Sequence, residues 1–437
     1  MSTAPPESVT PRIADTPERT ALAKVTRRLL PFLFLLFMVC FLDRVNVGFA
    51  ALQMNQDLGL SPAVYGLGAG IFFLGYVLCE VPSNLLLARM GARVWIARIM
   101  ITWGLVASAM MFVRGPLSLY GLRFLLGAAE AGFAPGIVYY LSRWFPAAER
   151  ARAVARFMAA VPLAGAVGGP LSGALLSLTG HLGLAGWQWL FLVEGVPAVV
   201  LGFVVLVYLT ERPEEATWLT PTERAWLTTH LSREREQCER MSVLQALSNG
   251  TVWRLGLLGF AFGFSGLGLW LPQIVRGLSG LSDFMVGLVS AVPYVVAAAA
   301  MVLVGAHSDR SGERLLHIVA SATAAAFGFL ASAYLHSPVL GVLALSLAAA
   351  GLSSAQGPFW ALPSAFLSGP AAAGGIALIN SVANLSGFVD PYLIGVLKGA
   401  TGNFDSGLLL LALVPLAGAS LALRLRRAPG SRPWLER

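Results

Sequence analysis

A series of apolar stretches, separated by short polar connections, extends along the sequence from about residue 29 to residue 425. A helix that crosses a bilayer needs about 20 mainly apolar residues, and each stretch has roughly that length. We mark twelve of them, at 29–53, 64–86, 95–113, 116–142, 153–178, 187–209, 253–276, 284–306, 315–335, 338–360, 372–397 and 406–425. The pattern predicts twelve transmembrane helices, and the even number places both termini on one side of the membrane.

One long polar stretch, residues 210–252, separates the sixth apolar segment from the seventh and divides the chain into two sets of six. Within it, Thr220, Pro221 and Glu223 form the pattern of an N-cap, an N1 proline and a capping-box acid. This pattern predicts a surface helix through about residue 233. The predicted parts of the chain are an N-terminal tail (1–28), a six-helix bundle (29–209), a linker (210–252), a second six-helix bundle (253–426) and a C-terminal tail (427–437).

The composition favours an integral membrane protein over a soluble one. Hydrophobic residues make up 57% of the 437, charged residues only 12%, and the mean hydropathy is +0.73. The net charge of +8 does not indicate nucleic-acid binding, because the basic residues do not gather on one stripe. They concentrate in the connections on the side of the termini, which predicts a multi-pass protein of the cell inner membrane with cytoplasmic termini.

No set of residues typical of an enzyme or a metal site occurs in the sequence. The three cysteines, Cys40, Cys79 and Cys238, form neither a CxxC pair nor a cluster with histidines. The five histidines all lie in or near the predicted connections. We therefore expect no enzymatic activity, no cofactor and no bound metal.

Four ionisable residues inside the apolar segments of the N-terminal half form a candidate charge network. Arg123 and Glu130 are embedded in the fourth segment, seven residues apart, so that they share a helix face with Gly127. Asp43 and Arg44 are adjacent in the first segment and point about 100° apart, so each needs a partner on another helix. Charges inside a bilayer usually mark a transport path, although such a network can also serve only to hold helices together. The protonation of both carboxyls should depend on how close the arginines are.

Two connections of similar sequence indicate an internal repeat. Residues 84–93, NLLLARMGAR, and residues 305–314, GAHSDRSGER, lie between the second and third segments of their halves, 221 positions apart. An acid and several arginines in a tight turn suit a latch that closes in one conformation, but they equally suit a simple basic turn. The candidate gate residues on the cytoplasmic side are Arg89, Arg93, Asp309, Arg310 and Arg314.

The C-terminal half carries no charges at the equivalent positions. With the offset of 221, Asp43, Arg123 and Glu130 correspond to Phe264, Ala344 and Gly351. Its segments offer polar and aromatic side chains suited to a pocket wall, namely Trp270, Gln273, Gln356, Trp360, Asn380 and Asn384. Asn380 and Asn384 lie one turn apart and can face one cavity. For each of these residues, and for Tyr76 on the second segment, helix packing is an open alternative.

Three further intramembrane acids are assigned separately. Glu80 lies near the cytoplasmic end of the second segment beside Pro82, and we expect it to pair with arginines of the loop and not with substrate. Asp390, which precedes Pro391, is expected either to cap a broken half-helix or to add a titratable site. The sequence suggests no role for Glu194.

Four stretches and the repeated loop carry a family resemblance. The stretches are FLDRVNVGFA (41–50), GYVLCEVPSNLLLARMGARVWIARIMITWG (75–104), LRFLLGAAEAGFAPGIVYYLSRWFP (122–146) and ALINSVANLSGF (377–388). They resemble the anion:cation symporter family of the major facilitator superfamily. The first loop departs from the superfamily pattern at Asn84 and Ala88, where Gly and Asp are usual. The resemblance implies an all-α fold of two pseudo-symmetric six-helix bundles, with Asp43 and Glu130 as proton sites and arginines as anion contacts.

From the charges and the resemblance together we predict a proton-coupled symporter that imports a small organic anion by alternating access. By resemblance, the anion is a carboxylate such as tartrate, a sugar acid or an aromatic acid. We expect a monomer in the bilayer, with the anion and protons as partners and no nucleic acid. The predicted substrate contacts are Arg44, Arg123, Tyr76, Gln273, Trp360, Asn380 and Asn384.

Two other functions remain open at the level of sequence. A proton-linked efflux antiporter of drugs or metabolites is favoured by the glycine- and proline-rich stretch at 162–173, which resembles a motif of antiporters. The other function is that of a membrane sensor, which binds the anion and signals through the 210–252 linker.

Overall fold

The computed structural model describes residues 16–236, 248–366 and 371–427, and all regular secondary structure within these ranges is helical. The first half contains α1 (Pro17–Asp57), α2 (Pro62–Met90), α3 (Ala92–Ala109), α4 (Pro116–Glu130), α5 (Phe133–Ser142), α6 (Ala147–Met158), α7 (Ala160–Leu176) and α8 (Gly186–Tyr208). The linker helix is α9 (Pro221–Glu236). The second half contains α10 (Gly250–Gly263), α11 (Leu267–Ser279), α12 (Asp283–Ser311), α13 (Leu315–Tyr334), α14 (Pro338–Phe366), α15 (Ala371–Asn384), α16 (Ser386–Thr401) and α17 (Asp405–Arg427). We call α1–α8 the N-bundle and α10–α17 the C-bundle.

Eleven spans within the described residues are long and apolar enough to cross a membrane. The predicted segment 372–397 completes the twelve, but it is divided into α15 and α16, of 14 and 16 residues, which meet at Leu385. Three other predicted segments are also interrupted, and in 153–178 the interruption is at Ala159, between α6 and α7. Gly132 separates α4 from α5 with φ of +86°, and Gly266 precedes α11 with φ of +56°, conformations that residues with a side chain rarely adopt. The twelve predicted crossings are therefore present, with breaks that the hydrophobic pattern did not predict.

Contacts between the two bundles are concentrated on one side of the membrane. We call the side where α1 begins and α17 ends the terminal side, and the opposite one the far side. In the far-side half, α2 packs on α16, α7 on α12 and α1 on α11. A Cβ atom added to Gly169 would lie 2.4 Å from the carbonyl oxygen of Gly287, so these helices touch through their backbones. The Tyr65 hydroxyl also donates a hydrogen bond to the Leu269 carbonyl at 2.7 Å. The far side is closed in this structure.

The linker helix α9 begins with the predicted capping box and docks on the N-bundle. The Thr220 N–H donates to Glu223 at 2.8 Å, and the Glu223 N–H donates to the Thr220 hydroxyl at 3.3 Å. Lys24 of α1 pairs with Glu223 at 2.9 Å, and the rings of Trp144 and Trp218 stack with centroids 5.4 Å apart. Burial acts to raise the pKa of the Glu223 carboxyl, but the Lys24 ammonium and the Thr220 N–H outweigh it and lower this pKa to about 2.

Candidate functional site

An ion pair buried between α1 and α4 forms the centre of the N-bundle site. The Arg44 Nε donates to Glu130 Oε1 at 2.6 Å, and the Cys40 thiol donates to the same oxygen at 3.1 Å. Glu130 is fully buried, and it is the last residue of α4, directly before the break at Gly132. The Arg44 guanidinium also lies 5.0 Å from the ring centroid of Tyr76, a distance that permits a cation–π interaction. Arg44 is therefore held by an acid and an aromatic ring from two other helices.

Asp43 faces away from this ion pair and is held by neutral donors. The Trp103 Nε1 donates to Asp43 Oδ2 at 2.5 Å, and the Asn46 side-chain amide donates to Oδ1 at 2.9 Å. Asp43 is only 2% exposed. The divergence of Asp43 and Arg44 follows from the rotation between consecutive helical residues, as expected. Each residue has the expected partner on another helix: Arg44 is bonded to Glu130 of α4, and Asp43 is bonded to Trp103 of α3.

Arg123 is a buried cation without a carboxylate beside it. It is 1% exposed, and its guanidinium donates to the Ala69 carbonyl at 3.0 Å and lies 4.7 Å from the Phe72 ring centroid. Among the ion pairs between described residues, none within 4.0 Å involves Arg123. The close approach of α4 to α2 creates this position, because a Cβ on Gly127 would lie 1.9 Å from the Phe72 carbonyl oxygen. A buried guanidinium with free donors attracts an anion.

The C-bundle contributes an uncharged wall. A cavity of about 170 Å³ is lined by Phe73 of the N-bundle and otherwise by C-bundle residues, including the four predicted side chains Gln356, Trp360, Asn380 and Asn384. Inside this wall, the Trp360 indole donates to Gln356 Oε1 at 3.2 Å. The amides of Asn380 and Asn384 lie on the same face of α15, as their spacing predicts.

Two of the predicted wall residues lie elsewhere, in the far-side closure. The Gln273 Oε1 accepts a hydrogen bond from Lys398 Nζ at 3.4 Å. The Trp270 indole is fully buried and donates to the Pro391 carbonyl at 3.3 Å. Both residues follow the break at Gly266, which turns α11 toward α16. The structure therefore does not bring Gln273 into the cavity with Asn380 and Asn384.

Glu80 does not pair with loop arginines, contrary to our expectation. Its Oε1 accepts a hydrogen bond from the Asn380 side-chain amide of the C-bundle at 2.8 Å, and the residue is 5% exposed. The position of Glu80 along α2 suggested the loop, but its side chain faces the opposite bundle. Helical phase, and not depth in the membrane, decides its partner.

The other two acids outside the central pair have clear contacts. Asp390 accepts hydrogen bonds from the N–H groups of Ser265 at 2.9 Å and Gly266 at 2.8 Å, directly before α11. It therefore caps a broken half-helix, one of the two predicted roles, from α16 across to α11. Glu194 is 4% exposed and accepts a hydrogen bond from the Ser172 hydroxyl at 2.8 Å.

The predicted gate residues lie at the terminal side without joining the two bundles. Arg89, Asp309 and Arg310 are exposed, and Arg93 is half-buried. Asp309 pairs with Arg314 of its own loop. None of the ion pairs between described residues links a gate residue of one bundle to the other bundle. Within the described part of the chain, these residues therefore form no ion-pair latch between the bundles in this conformation.

The sequence profile of the Major Facilitator Superfamily matches residues 33–434, nearly the whole helical part of the chain. The chain belongs to the major facilitator superfamily. It is accordingly a multi-pass membrane transporter and not an enzyme, and its two bundles of six crossings have the fold of that superfamily.

Two superfamily members and one solved structure match most of the chain. A protein of Agrobacterium vitis named "Putative tartrate transporter" is 52% identical over 414 residues, covering 94% of this chain and 95% of that protein. A "Quinolone resistance transporter" of Acinetobacter baumannii is 42% identical over 409 residues, covering 92% and 94%. The crystal structure of a bacterial homolog to the human lysosomal transporter Spinster, inward-facing and unoccupied, has a TM-score of 0.74 at 18% identity and covers 92% of this chain and 97% of its own. This last likeness concerns the fold.

Glu211 supplies an acid near the superfamily loop of the N-bundle, where Ala88 replaces the usual Asp. Its carboxylate accepts hydrogen bonds from the N–H groups of Ala92 at 2.9 Å and Arg93 at 2.8 Å, at the start of α3. Arg143 donates to the same carboxylate at 3.0 Å. Sequence analysis missed this residue. The signal was an acid directly after the sixth apolar segment, on the side rich in arginine.

Proposed function

We propose that this transporter is a proton-coupled symporter that imports a small organic anion by alternating access. The observation that carries the proposal is Arg123, a guanidinium that is 1% exposed and has no carboxylate within 4.0 Å among the described residues. A buried cation of this kind is costly unless an anion occupies its vicinity for part of the transport cycle. The 52% identity to a protein whose name includes tartrate supports a carboxylate as that anion.

The coupling follows from competition for Arg44. Without substrate, Glu130 holds Arg44 at 2.6 Å. A carboxylate that binds Arg123 and Arg44 withdraws the guanidinium from Glu130. A buried acid without a counter-ion favours its neutral form, so Glu130 then binds a proton. When the proton leaves, Glu130 recovers Arg44 and the anion is released. Asp43, bonded to neutral donors, is the second proton site of this scheme.

The C-bundle recognises the body of the substrate. Asn380, Asn384 and Gln356 offer amides that match hydroxyl and carboxylate groups, and Trp360 offers a flat apolar face. These groups suit tartrate, a sugar acid or an aromatic acid. Phe73 is the N-bundle residue that lines this cavity, and Tyr76, one turn later on α2, lies against Arg44 and is assigned to the substrate contacts of the N-bundle.

The orientation in the membrane follows from the distribution of basic residues. The arginine-rich loops share the terminal side with both termini, so we assign that side to the cytoplasm and the protein to the cell inner membrane. Because the far side is closed in this structure, the conformation described is one in which the site is shut off from the outside. We further propose that the single chain is the transporting unit, since one chain supplies both bundles of six crossings.

A second candidate function is efflux of drugs by proton antiport. The 42% identity to a protein named for quinolone resistance favours it. The two functions predict opposite directions of substrate flow for the same inward flow of protons. With symport, external tartrate carries protons into vesicles of the same orientation, whereas with antiport a drug leaves as protons enter.

The test is flux in vesicles that contain the purified protein and a pH-sensitive dye. We expect external tartrate, or another acid from a panel of carboxylates, to acidify the lumen. Arg123→Ala should abolish this acidification, and Arg114→Ala, which removes an exposed arginine of a far-side loop, should preserve it. Binding is measured separately by thermal shift, where saturation at about 100 times Kd stabilises a protein by about 2.7 kcal/mol. If no carboxylate stabilises the protein, the anion proposal is wrong.

A further inference from the structure

A carboxylate and an amide from different bundles meet on the terminal side. Glu80 of α2 accepts a hydrogen bond from Asn380 of α15 at 2.8 Å, although the two residues are 300 positions apart in the chain. Counted from Pro62, Glu80 lies about 27 Å along α2 from its far-side end, at 1.5 Å per residue. The contact is therefore well removed from the far-side closure.

The contact lies outside the region where the two bundles are tightly packed. On the far-side half of α2, a Cβ on Gly66 would lie 2.2 Å from the Pro391 carbonyl oxygen, and the Phe73 ring fills the space at Gly387. Both partners belong to α16. Asn380 lies on α15, on the terminal side of Leu385, where α15 and α16 meet. The Glu80–Asn380 bond therefore joins the bundles apart from their far-side packing.

Glu80 also lies close to the charged site along α2. Tyr76, one turn earlier on the same helix, has its ring centroid 5.0 Å from the Arg44 guanidinium. Asn380 is at the same time a wall residue of the cavity. The Asn380 amide, which faces the space proposed for a substrate carboxylate, is thus already hydrogen-bonded to the Glu80 carboxylate.

We propose that the Glu80–Asn380 hydrogen bond is a latch between the two bundles on the terminal side, and that Glu80 is an internal ligand of Asn380 which an anion displaces. The latch is inferred from the geometry alone, whereas the displacement of Glu80 by an anion rests on the proposed function. A substrate carboxylate offers Asn380 the same acceptor as Glu80. Binding of the anion then releases the bond and lets α15 separate from α2.

The distance between the bundles at the terminal side tests the latch. Spin labels at Met90→Cys, which is 53% exposed at the end of α2, and Arg424→Cys, which is exposed near the end of α17, report this distance by double electron–electron resonance. Cys79 and Cys238 are replaced by serine, and Cys40 is retained because it is fully buried. Measurements are made without substrate and with tartrate.

In the absence of substrate, Glu80→Ala should raise the ratio of open to closed populations by about tenfold, the value of one hydrogen bond to a charged group. Glu80→Gln keeps an acceptor oxygen and should match the parent protein. Asn380→Asp, which changes no volume and places two acids together, should open the terminal side as Glu80→Ala does. Glu194→Ala, the loss of a buried acid bonded within the N-bundle, should have no effect.

Three results decide between the parts of the proposal. If Glu80→Ala and Asn380→Asp both leave the distances unchanged, the latch is wrong. If Glu80→Gln opens the protein as Glu80→Ala does, charge and not the hydrogen bond holds the bundles, and the latch as stated is also wrong. If the variants open but tartrate at saturating concentration leaves the parent closed, the latch stands and displacement by this anion is wrong.

Discussion

The two bundles use equivalent positions for different purposes. In the N-bundle, Glu130 reaches across to Arg44 of α1. Its counterpart 221 residues later, Gly351, packs so closely on α13 that an added Cβ would lie 2.5 Å from the Ser321 carbonyl oxygen. The counterpart of Asp43 is Phe264, which is 2% exposed and packed in an apolar cluster. At these positions the N-bundle accommodates charged side chains, whereas the C-bundle has an apolar side chain and close contacts between helices.

In the proposed mechanism, this difference separates two tasks. The N-bundle holds the ionisable groups assigned to the exchange of protons and counter-ions, whereas the C-bundle holds the amides and the indole assigned to recognition of the substrate. On this proposal, a change in substrate preference can arise in the C-bundle without disturbing coupling. The relatives named for tartrate and for quinolone resistance are consistent with one scaffold that accommodates different ligands.

The largest expected effect comes from Glu130→Gln, which removes the negative charge of this side chain but keeps the shape of the side chain. Because Arg44 would lose its acid and the site its proton carrier, we expect accumulation driven by a pH gradient to be abolished. Exchange of labelled for unlabelled substrate, which needs no net proton movement, should persist. Uptake and exchange in the same vesicles check this, and loss of both would assign Glu130 to folding or binding instead of coupling.

A smaller effect is expected from Asn384→Ala in the C-bundle. Loss of one hydrogen bond to a charged ligand should raise KM by about tenfold. The number of protons carried per anion should stay the same, because the amide takes no part in the ion-pair exchange. Initial rates over a range of substrate concentrations, together with the ratio of proton to anion flux, provide the measurement. A changed ratio would show that the two tasks are not separated between the bundles.

The features of the fold that could be predicted are those that depend on local sequence. Twelve apolar segments, the capping box at Thr220 and the helix cap by Asp390 all depend on residue types and short spacings. The cap was one of two roles predicted for Asp390 from its place before a proline inside an apolar segment, and Asp390 bonds to the N–H groups of Ser265 and Gly266. The four N-bundle charges were equally evident, because lipid tolerates charges poorly.

The unpredicted part depends on the relative rotation and angle of helices. The break at Gly266 directs Gln273 toward Lys398 and away from the cavity, and no hydrophobic pattern marks that turn. Glu80 finds Asn380 because two bundles meet at that phase of α2, which only the assembled fold determines. Glu211 was overlooked for a similar reason, since its partners lie at the start of a helix 119 positions earlier in the chain.

A modest loss of stability is expected from Gly351→Ala, which tests whether helix contact fills the site that charge occupies in the N-bundle. The added methyl group would press on the α13 backbone, and overpacking of this kind costs about 1–3 kcal/mol. Gly357→Ala, in the same helix but with no atom within 4 Å of the added Cβ, serves as the matched control. The melting temperatures of the two variants in detergent should differ, and equal values would show that α13 and α14 can separate without cost.

The smallest effect concerns the attachment of the linker to the N-bundle. The pKa of Glu223 is lowered from 4.5 to about 2, so its ion pair stabilises the fold above pH 4.5 and is lost as the pH falls from 4.5 toward 2. Lys24 is 44% exposed, so solvent screening limits the contribution to roughly 1 kcal/mol. We therefore expect the melting temperature to fall as the pH is lowered from 4.5 toward 2. Glu223→Gln should weaken this fall, and Glu215→Gln, at an exposed position of the same linker, should not change it. Melting temperatures measured over this pH range provide the test.

The far-side closure has a consequence for the response of the transporter to electrolytes. The contacts that join the bundles there include backbone packing, such as that of Gly169 on Gly287, a hydrogen bond from Tyr65 to a backbone carbonyl and one from Gln53 to the Asp283 carboxylate. Dissolved salt screens exposed charges over about 8 Å at physiological ionic strength, and it has little influence on backbone packing. Arg114 is an exposed arginine of the far side, but the exposed gate residues Arg89, Asp309 and Arg310 lie on the opposite face. Ionic strength should therefore act more strongly on the opening of the terminal side than on that of the far side, so that the salinity of one compartment matters more than that of the other.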